Sequence, residues 1–330
     1  MIQFNSKKTF YKSPFGAVEA NTELFLRIKI PGNRPVASAY LLLTPDESDQ
    51  LIKIEGNLEK QSDTEFQYIF VLKMDQIGLF FYHFEVTYQD QEKERSQIHQ
   101  LTVYSENYKT PDWLKDGVMY QIFPDRFAKS ERYRAPLQDK NYVLREDWGG
   151  IPNDQPDEKG EIQNNDFFGG NLQGIIDKLS YLEDLGVTVI YLNPIFEAFS
   201  NHRYDTADYK KIDPMLGTEE DFRELCSAAK SRGIRIILDG VFNHTGSDSL
   251  YFNKKGRYPE MGAYQSKESP YYSWYRFMKY PEKYESWWGI DTLPGVNETD
   301  PSYLDYIIRS EDSVVKHWMR CGASGFRLDV

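Results

Sequence analysis

Cysteine is scarce in this sequence: Cys226 and Cys321 are the only two among 330 residues, too few for a disulfide framework. No run approaches the eighteen or so apolar residues that span a bilayer. The first ten residues, MIQFNSKKTF, lack the apolar core of a secretory signal. The expected compartment is therefore the reducing cytoplasm, with no membrane partner. Positive charge is also short, since 39 Lys and Arg face 51 Asp and Glu for a net charge of −12. That balance repels nucleic acid and anionic lipid, whereas a neutral ligand meets no such barrier.

What the chain has in quantity is aromatic surface: 24 Tyr, 20 Phe and 6 Trp. Flat faces in that number suit sugar rings or a partner surface. Three hundred and thirty residues also exceed the usual reach of one hydrophobic core, so two domains are expected. Up to Tyr104 the pattern alternates. Leu24, Leu26, Ile28 and Ile30 share one face with Arg27 and Lys29 opposite, and Tyr82, Phe84, Val86 and Tyr88 repeat the spacing. Residues 1–105 thus read as an all-β, immunoglobulin-like sandwich, and 106–112, with Pro111, as a linker.

From Trp113 the period changes. GVMYQIF (117–123), VTVIYL (187–192), IRIIL (234–238) and the terminal GFRLDV (325–330) read as strands. Between them, Leu172 to Leu182 keep helical spacing up to Gly186. A capping-box-like TEED (218–221) opens a helix carrying Phe222, Leu225, Cys226 and Ala229, and Leu304 to Met319 mark a third helix. Strands alternating with helices predict a parallel α/β sheet over residues 113–330. A Tyr- and Trp-rich stretch at about 245–300 reads as an inserted lobe walling a cleft. Trp287 and Trp288 fit its own small core and the cleft equally well.

Parallel α/β folds collect binding groups at the carboxyl ends of their strands. The four strands here end in Pro124-Asp125-Arg126, in Asn193-Pro194 followed by NHRYD (201–205), in DGVFNH (239–244), and in Arg327 and Asp329. Arg327 and Asp329 are two residues apart and share a strand face. By position alone they read as a satisfied ion pair, and His244 as a structural histidine. His83, His99 and His317 lie in strand or helix patterns and read as structural.

DGVFNH and GFRLDV resemble, in order, spacing and strand placement, the third- and fourth-strand motifs of the α-amylase family of retaining glycoside hydrolases. YLNPIFEAFSNHRYDTADYKKIDPMLGT, ahead of both, also fits the family order, and YQIFPDRF, FFGGNLQGI and WWGIDTLPGVN resemble the neopullulanase, cyclomaltodextrinase and maltogenic amylase branch. The resemblance covers nearly the whole chain. It implies a sandwich followed by the first half of a (β/α)8 barrel, acting on α-glucosidic bonds in maltooligosaccharides, cyclodextrins, pullulan or starch. It casts Asp329 as nucleophile, Arg327 as the guanidinium that keeps it ionised, and His244 and Asn243 as contacts to the sugar being cleaved. Tyr204 would stack beneath that ring, and Asp239 would steady Arg327 or the strand end.

The same resemblance implies a homodimer for the complete enzyme and no organic cofactor. Relatives often bind calcium after the first strand. Here that loop, AKSERYRAPLQDK, carries Lys and Arg where acidic ligands are expected, and Asn171 stands where a carboxylate is common, so no calcium is expected. Retaining hydrolysis needs two carboxyl groups about 5 Å apart. The family's acid lies on a fifth strand. The expectation is therefore an N-terminal fragment, inactive by itself, whose half-barrel exposes unpaired edges. A carbohydrate-binding module acting through the sandwich, and an α-glucosidase or transglycosylase of the same family, remain the alternatives.

Overall fold

Residues 1–136, 142–158, 160 and 162–330 are described by the structure, a computed structural model. The chain divides into two compact units, Met1–Pro111 and Asp112–Val330.

In the first unit, the alternation read from the sequence becomes two sheets, antiparallel but for the parallel pairing of Val18–Glu19 with the strand His99–Tyr104. Glu23–Pro31 pairs with Glu65–Lys73 so that Leu24 meets Leu72, Leu26 meets Phe70 and Ile28 meets Tyr68, all buried. This sheet has four strands and the other has six, centred on Val36–Pro45 beside Gly78–Tyr88. Side chains from both sheets, among them Leu26, Ile28, Leu41, Phe80 and Phe84, form one core. One polar position breaks the period. Glu85 is buried because Lys93 and Arg95 on the adjoining strand hold its carboxylate at 3.1 and 2.8 Å.

The second unit is built on a parallel sheet of four strands in chain order: Met119–Ile122, Val189–Leu192, Arg235–Gly240 and Gly325–Leu328. Every residue of Val189–Leu192 is buried, as a strand covered on both faces requires. The capping box forms as read. Thr218 Oγ1 accepts from the Asp221 amide and Asp221 answers to the Thr218 amide, opening the helix Glu219–Ser231, whose buried face is Phe222, Leu225, Cys226 and Ala229. Gly233, at φ +75°, follows its end. The aromatic stretch at 245–300 shares its core with the sheet: Tyr251, Phe252, Trp274, Tyr275 and Tyr284 pack in the same cluster as Leu192 and Leu238.

Three sequence expectations change. The helix read over Leu172 to Leu182 divides at Lys178, whose amide bonds to Ile175 O and tightens the turn, giving Leu172–Asp177 and Leu179–Asp184. The one read over Leu304 to Met319 is interrupted. A π turn over Asp305–Arg309 ends with the Ser310 amide on Asp305 O, Ser313 is extended, and helix resumes at Val314–Cys321. Both splits leave the apolar face in register, with Leu172, Leu179, Ile307 and Trp318 all buried, which is why periodicity could not reveal them. Finally, the polar stretch after the second strand contains a hairpin, Phe196–Ala198 with Thr206–Ile212, whose turn carries residues 199–205.

Glycine in FFGGNLQGI has a steric cause at two positions. A Cβ on Gly170 would overlap the carbonyls of Pro124 and Asp125, and one on Gly174 would overlap that of Ala128. The backbone after the first strand lies directly against the start of the first helix. Among the described residues no helix is long and apolar enough to cross a membrane.

Candidate active site

Parallel register sets the centre of the site. Asp239 on the third strand is paired with Arg327 on the fourth, so the two side chains emerge on one face. Arg327 Nη1 donates to Asp239 Oδ1 at 3.1 Å and to Asp329 Oδ1 at 2.5 Å, one guanidinium nitrogen serving both carboxyls. The Asp239 side chain is fully buried. Its Oδ2 accepts from the hydroxyls of Tyr191 and of Tyr204, the latter at 3.0 Å. Burial pushes the Asp239 carboxyl up from its ordinary value, with the two tyrosines and Arg327 opposing. Burial acts to lower the Arg327 pKa, but hydrogen bonding to Asp329 and the charge of Asp239 outweigh it, and the net shift is upward.

The hydrogen bonds continue across the sheet. Tyr204 Oη accepts from Asn193 Nδ2 at 3.1 Å, and Asn193 Oδ1 accepts from Gln121 Nε2 at 2.9 Å. A single polar chain thus runs Gln121, Asn193, Tyr204, Asp239, Arg327, Asp329, touching all four strands or their ends. Tyr204 reaches it because the hairpin turn places it over the third strand. That turn is held by Arg203, 1% exposed and in the left-handed region at φ 62°, whose Nε lies 3.2 Å from the buried Asp213.

His244 is buried, with Nε2 3.1 Å from the Tyr204 carbonyl. Burial lowers its pKa, opposed by that hydrogen bond and by the charge of Asp329, so the ring is neutral near pH 7. Among the described residues its Nδ1 has no protein partner, and neither does Nε1 of Trp287, whose ring centroid lies 5.5 Å from His244. Both amide atoms of Asn243 are likewise buried and, among the described residues, unpartnered. Donors and acceptors left open on consecutive residues are what a polyhydroxylated ligand can satisfy. Asn243 and Asp329 also line one cavity of about 240 Å³ with Tyr303 and Glu298.

Trp287 and Trp288 do not fill a core. Their rings stack at 4.7 Å and 5°, and Trp288 is 84% exposed.

All six residues singled out from the sequence are placed: Asp239, Arg327, Asp329 and Tyr204 in one hydrogen-bonded set, His244 bonded to the Tyr204 backbone, and Asn243 next to His244 with its amide open. Sequence reasoning missed Gln121 and Tyr191 as members of the surroundings, while Trp287, read as fitting core and cleft equally, lies beside His244. Gln121 and Tyr191 were detectable only as polar groups on strands otherwise apolar, a signal that parallel-sheet burial makes informative.

Asn171 does not offer a calcium ligand. Its Oδ1 caps the first helix through the Gly174 amide at 2.8 Å, and its Nδ2 donates to Ser130 O at 3.0 Å. Within the preceding loop Arg132 pairs with Asp177 at 2.5 Å, and positions 137–140 of that loop lie outside the described residues. The donor set around Asn171 therefore does not fit the hard cation.

A sequence profile of the alpha amylase catalytic domain matches residues 121–330. The amylopullulanase of Thermoanaerobacterium thermosulfurigenes is 39% identical across the whole of this chain and 20% of its own length. The intracellular maltogenic amylase of Bacillus subtilis (strain 168) is 38% identical over 80% of this chain and 42% of its own. Among solved structures, the type III pullulan hydrolase from Thermococcus kodakarensis aligns over all of this chain and 56% of that one, with TM-score 0.58 and 29% identity. A cyclic α-maltosyl-(1→6)-maltose hydrolase from Arthrobacter globiformis aligns over 68% of this chain and 46% of that one, with TM-score 0.54 and 38% identity. The chain spans between a fifth and somewhat under half of the length of the curated relatives it matches.

Proposed function

The chain belongs to the α-amylase family, and on that premise we propose that it supplies the nucleophile side of a site that hydrolyses α-glucosidic bonds with retention of configuration. The observation that carries the reading is the single Arg327 Nη1 shared by Asp239 and Asp329. A guanidinium at 2.5 Å fixes the direction of the Asp329 carboxylate, as attack on an anomeric carbon requires. Asp239 anchors the guanidinium from its buried side. His244 and Asn243 present the open hydrogen-bonding atoms to sugar hydroxyls, and Tyr204 lies between them and Asp239.

Double displacement also needs a proton for the leaving oxygen, from a carboxyl about 5 Å from the nucleophile. Asp239 is poorly disposed to give it, because Oδ2 is taken by two tyrosines and Oδ1 by Arg327. Without a donor the leaving alkoxide is not neutralised and the glycosyl–enzyme ester does not form. The 330-residue chain by itself is therefore inferred to bind α-glucan without turnover.

Substrates of the family reading are maltooligosaccharides, cyclodextrins, pullulan and starch. The test is to incubate the purified chain with each, follow reducing ends, and measure maltooligosaccharide binding by calorimetry in parallel. Binding that Asp329→Asn and His244→Gln alter, with no reducing ends released, supports the reading. Turnover that survives Asp329→Asn would overturn the nucleophile assignment.

A further inference from the structure

We propose that Glu219, His317 and Cys321 form a site for a borderline-soft divalent metal ion of the zinc type, joining two helices of the second unit. Glu219 stands in the first turn of Glu219–Ser231, directly after the Thr218 cap. His317 and Cys321 are four residues apart on Val314–Cys321 and so project from one side of that helix. His317 Nε2 lies 3.1 Å from Glu219 Oε2 and 3.8 Å from Cys321 Sγ, and the three ligand atoms lie within 4.8 Å of one another. Around a tetrahedral zinc ion with bonds of about 2.0–2.3 Å, neighbouring ligand atoms stand about 3.3–3.8 Å apart. The two distances from His317 Nε2 are already close to that spacing, and the third lies within 4.8 Å.

Carboxylate, imidazole and thiolate are the ligand types zinc takes, and three of them leave a fourth position for water. Two surrounding features fit a metal better than a bare ion pair. Arg223 donates to Glu219 Oε1 through Nε at 3.0 Å and Nη2 at 2.7 Å, which fixes the carboxylate while leaving Oε2 turned to His317. That is the position of an outer-shell group that orients a ligating carboxylate. A cavity of about 390 Å³, lined by Arg223, Cys226, Cys321 and Gly322, opens beside the sulfur and gives an ion a route from solvent. A Glu–His ion pair explains the first two groups, and the buried thiol, hydrogen-bonded to Glu219 and 3.8 Å from His317 Nε2, supplies the third corner of the set. On binding, the Cys321 thiol gives its proton to solvent, and Sγ, Nε2 and Oε2 replace three of the ion's waters.

The site stands on helices, whereas the hydrogen-bonded chain ending at Asp329 stands on strand tips, so its role is to tie the helix after the second strand to the helix after the third. The test uses the full chain, stripped with a chelator, kept reduced and titrated with Co(II). The expected result is a thiolate-to-cobalt charge-transfer band that saturates at one equivalent and is bleached by Zn(II). Cys321→Ser and His317→Gln are each expected to abolish it, and Cys226→Ser to leave it. His317→Gln serves should the serine variant not fold, because the His317 side chain is 25% exposed. Zn(II) should also raise the unfolding temperature of the unaltered chain and of Cys226→Ser, and not of His317→Gln. No charge-transfer band in the unaltered chain, or a band that persists in both Cys321→Ser and His317→Gln, overturns the proposal.

Discussion

Asp239 and Arg327 face each other across the register of the third and fourth strands, and the carboxylate so held is fully buried while its guanidinium partner remains partly open to solvent. The pair is therefore unequal: removing Arg327 strands a buried group, whereas removing Asp239 frees an exposed one. Arg327→Met leaves Asp239 with only the hydroxyls of Tyr191 and Tyr204 and takes the cation from Asp329. Loss of a charged partner to a buried acceptor costs about 1–3 kcal/mol, to be read from urea denaturation. Arg327→Lys should recover only part of this, because the shorter, more strongly hydrated ammonium does not reach the point between the two carboxyls that Nη1 occupies. Equal midpoints for Arg327→Met and the unaltered chain would show that the two tyrosines satisfy Asp239 unaided.

Gly174 tests the close approach behind FFGGNLQGI. Its site has no room for a Cβ, since the Ala128 carbonyl occupies that space and the neighbouring Asn171 cap locks the loop and helix together. Gly174→Ala must push backbone away from backbone. Overpacking of this kind costs about 1–3 kcal/mol, in opposition to the gain that alanine normally brings to a helix. A lowered urea midpoint is expected, and a raised one would mean that the loop yields freely.

Much of this architecture was legible because burial imposes a period. Leu24 to Ile30 alternate since one sheet face is wet, and VTVIYL is continuously apolar since both faces of its strand are covered. Asp239, Arg327 and Asp329 were found through spacing on strands. The breaks at Lys178 and Ser310 to Ser313 were not, because a helix interrupted for one turn keeps its apolar stripe. The hairpin at Phe196–Ala198 was hidden for a related reason. Its role is to aim a turn, and its short strands read as a polar loop. The hydrogen-bonded chain from Gln121 to Asp329 spans residues 208 positions apart, and only the register of four strands brings its members together.

His244 should make stability depend on pH. Burial, the largest cause, holds its pKa below the ordinary 6.5, so between that lowered value and 6.5 the unfolded chain binds more protons than the folded one. The stabilisation tied to a neutral ring is complete above 6.5 and fades as pH falls through 6.5 towards the lowered value. His244→Gln cannot titrate. The stability difference between it and the unaltered chain should shrink from about pH 7.5 to about pH 5 in urea titrations. A difference constant over that span would place the ring in water.

Arg203 and Asp213 form the most enclosed ion pair among the described residues of the unit, with side chains 1% and 0% exposed. Asp213 also accepts from the Met215 amide at 2.7 Å, and Arg203 Nη1 donates to Asn201 O at 2.8 Å, so the pair fixes both ends of the turn that presents Tyr204. Arg203→Met leaves a buried carboxylate without its cation, at a cost of about 3–5 kcal/mol. Adding Asp213→Asn should return part of that loss. If the double variant is no more stable than the single one, the arginine acts through its left-handed backbone and not through its charge.

Trp288 separates binding from folding. A bulky residue at φ 52°, 84% exposed, is costly on both counts, and its one compensation is the parallel stack with Trp287, whose other neighbour is His244. Strain kept in place at a wet aromatic face points to a platform for a flat, apolar sugar face. Trp288→Asn suits the left-handed backbone and removes the platform. Stability should therefore hold or rise, while maltooligosaccharide affinity falls by about 5–10-fold, the equivalent of the roughly 1 kcal/mol that an aromatic stack contributes. Calorimetric binding and urea denaturation on the same sample separate the two effects. Unchanged affinity would leave the stack as a packing device for Trp287 and remove Trp288 from the sugar path.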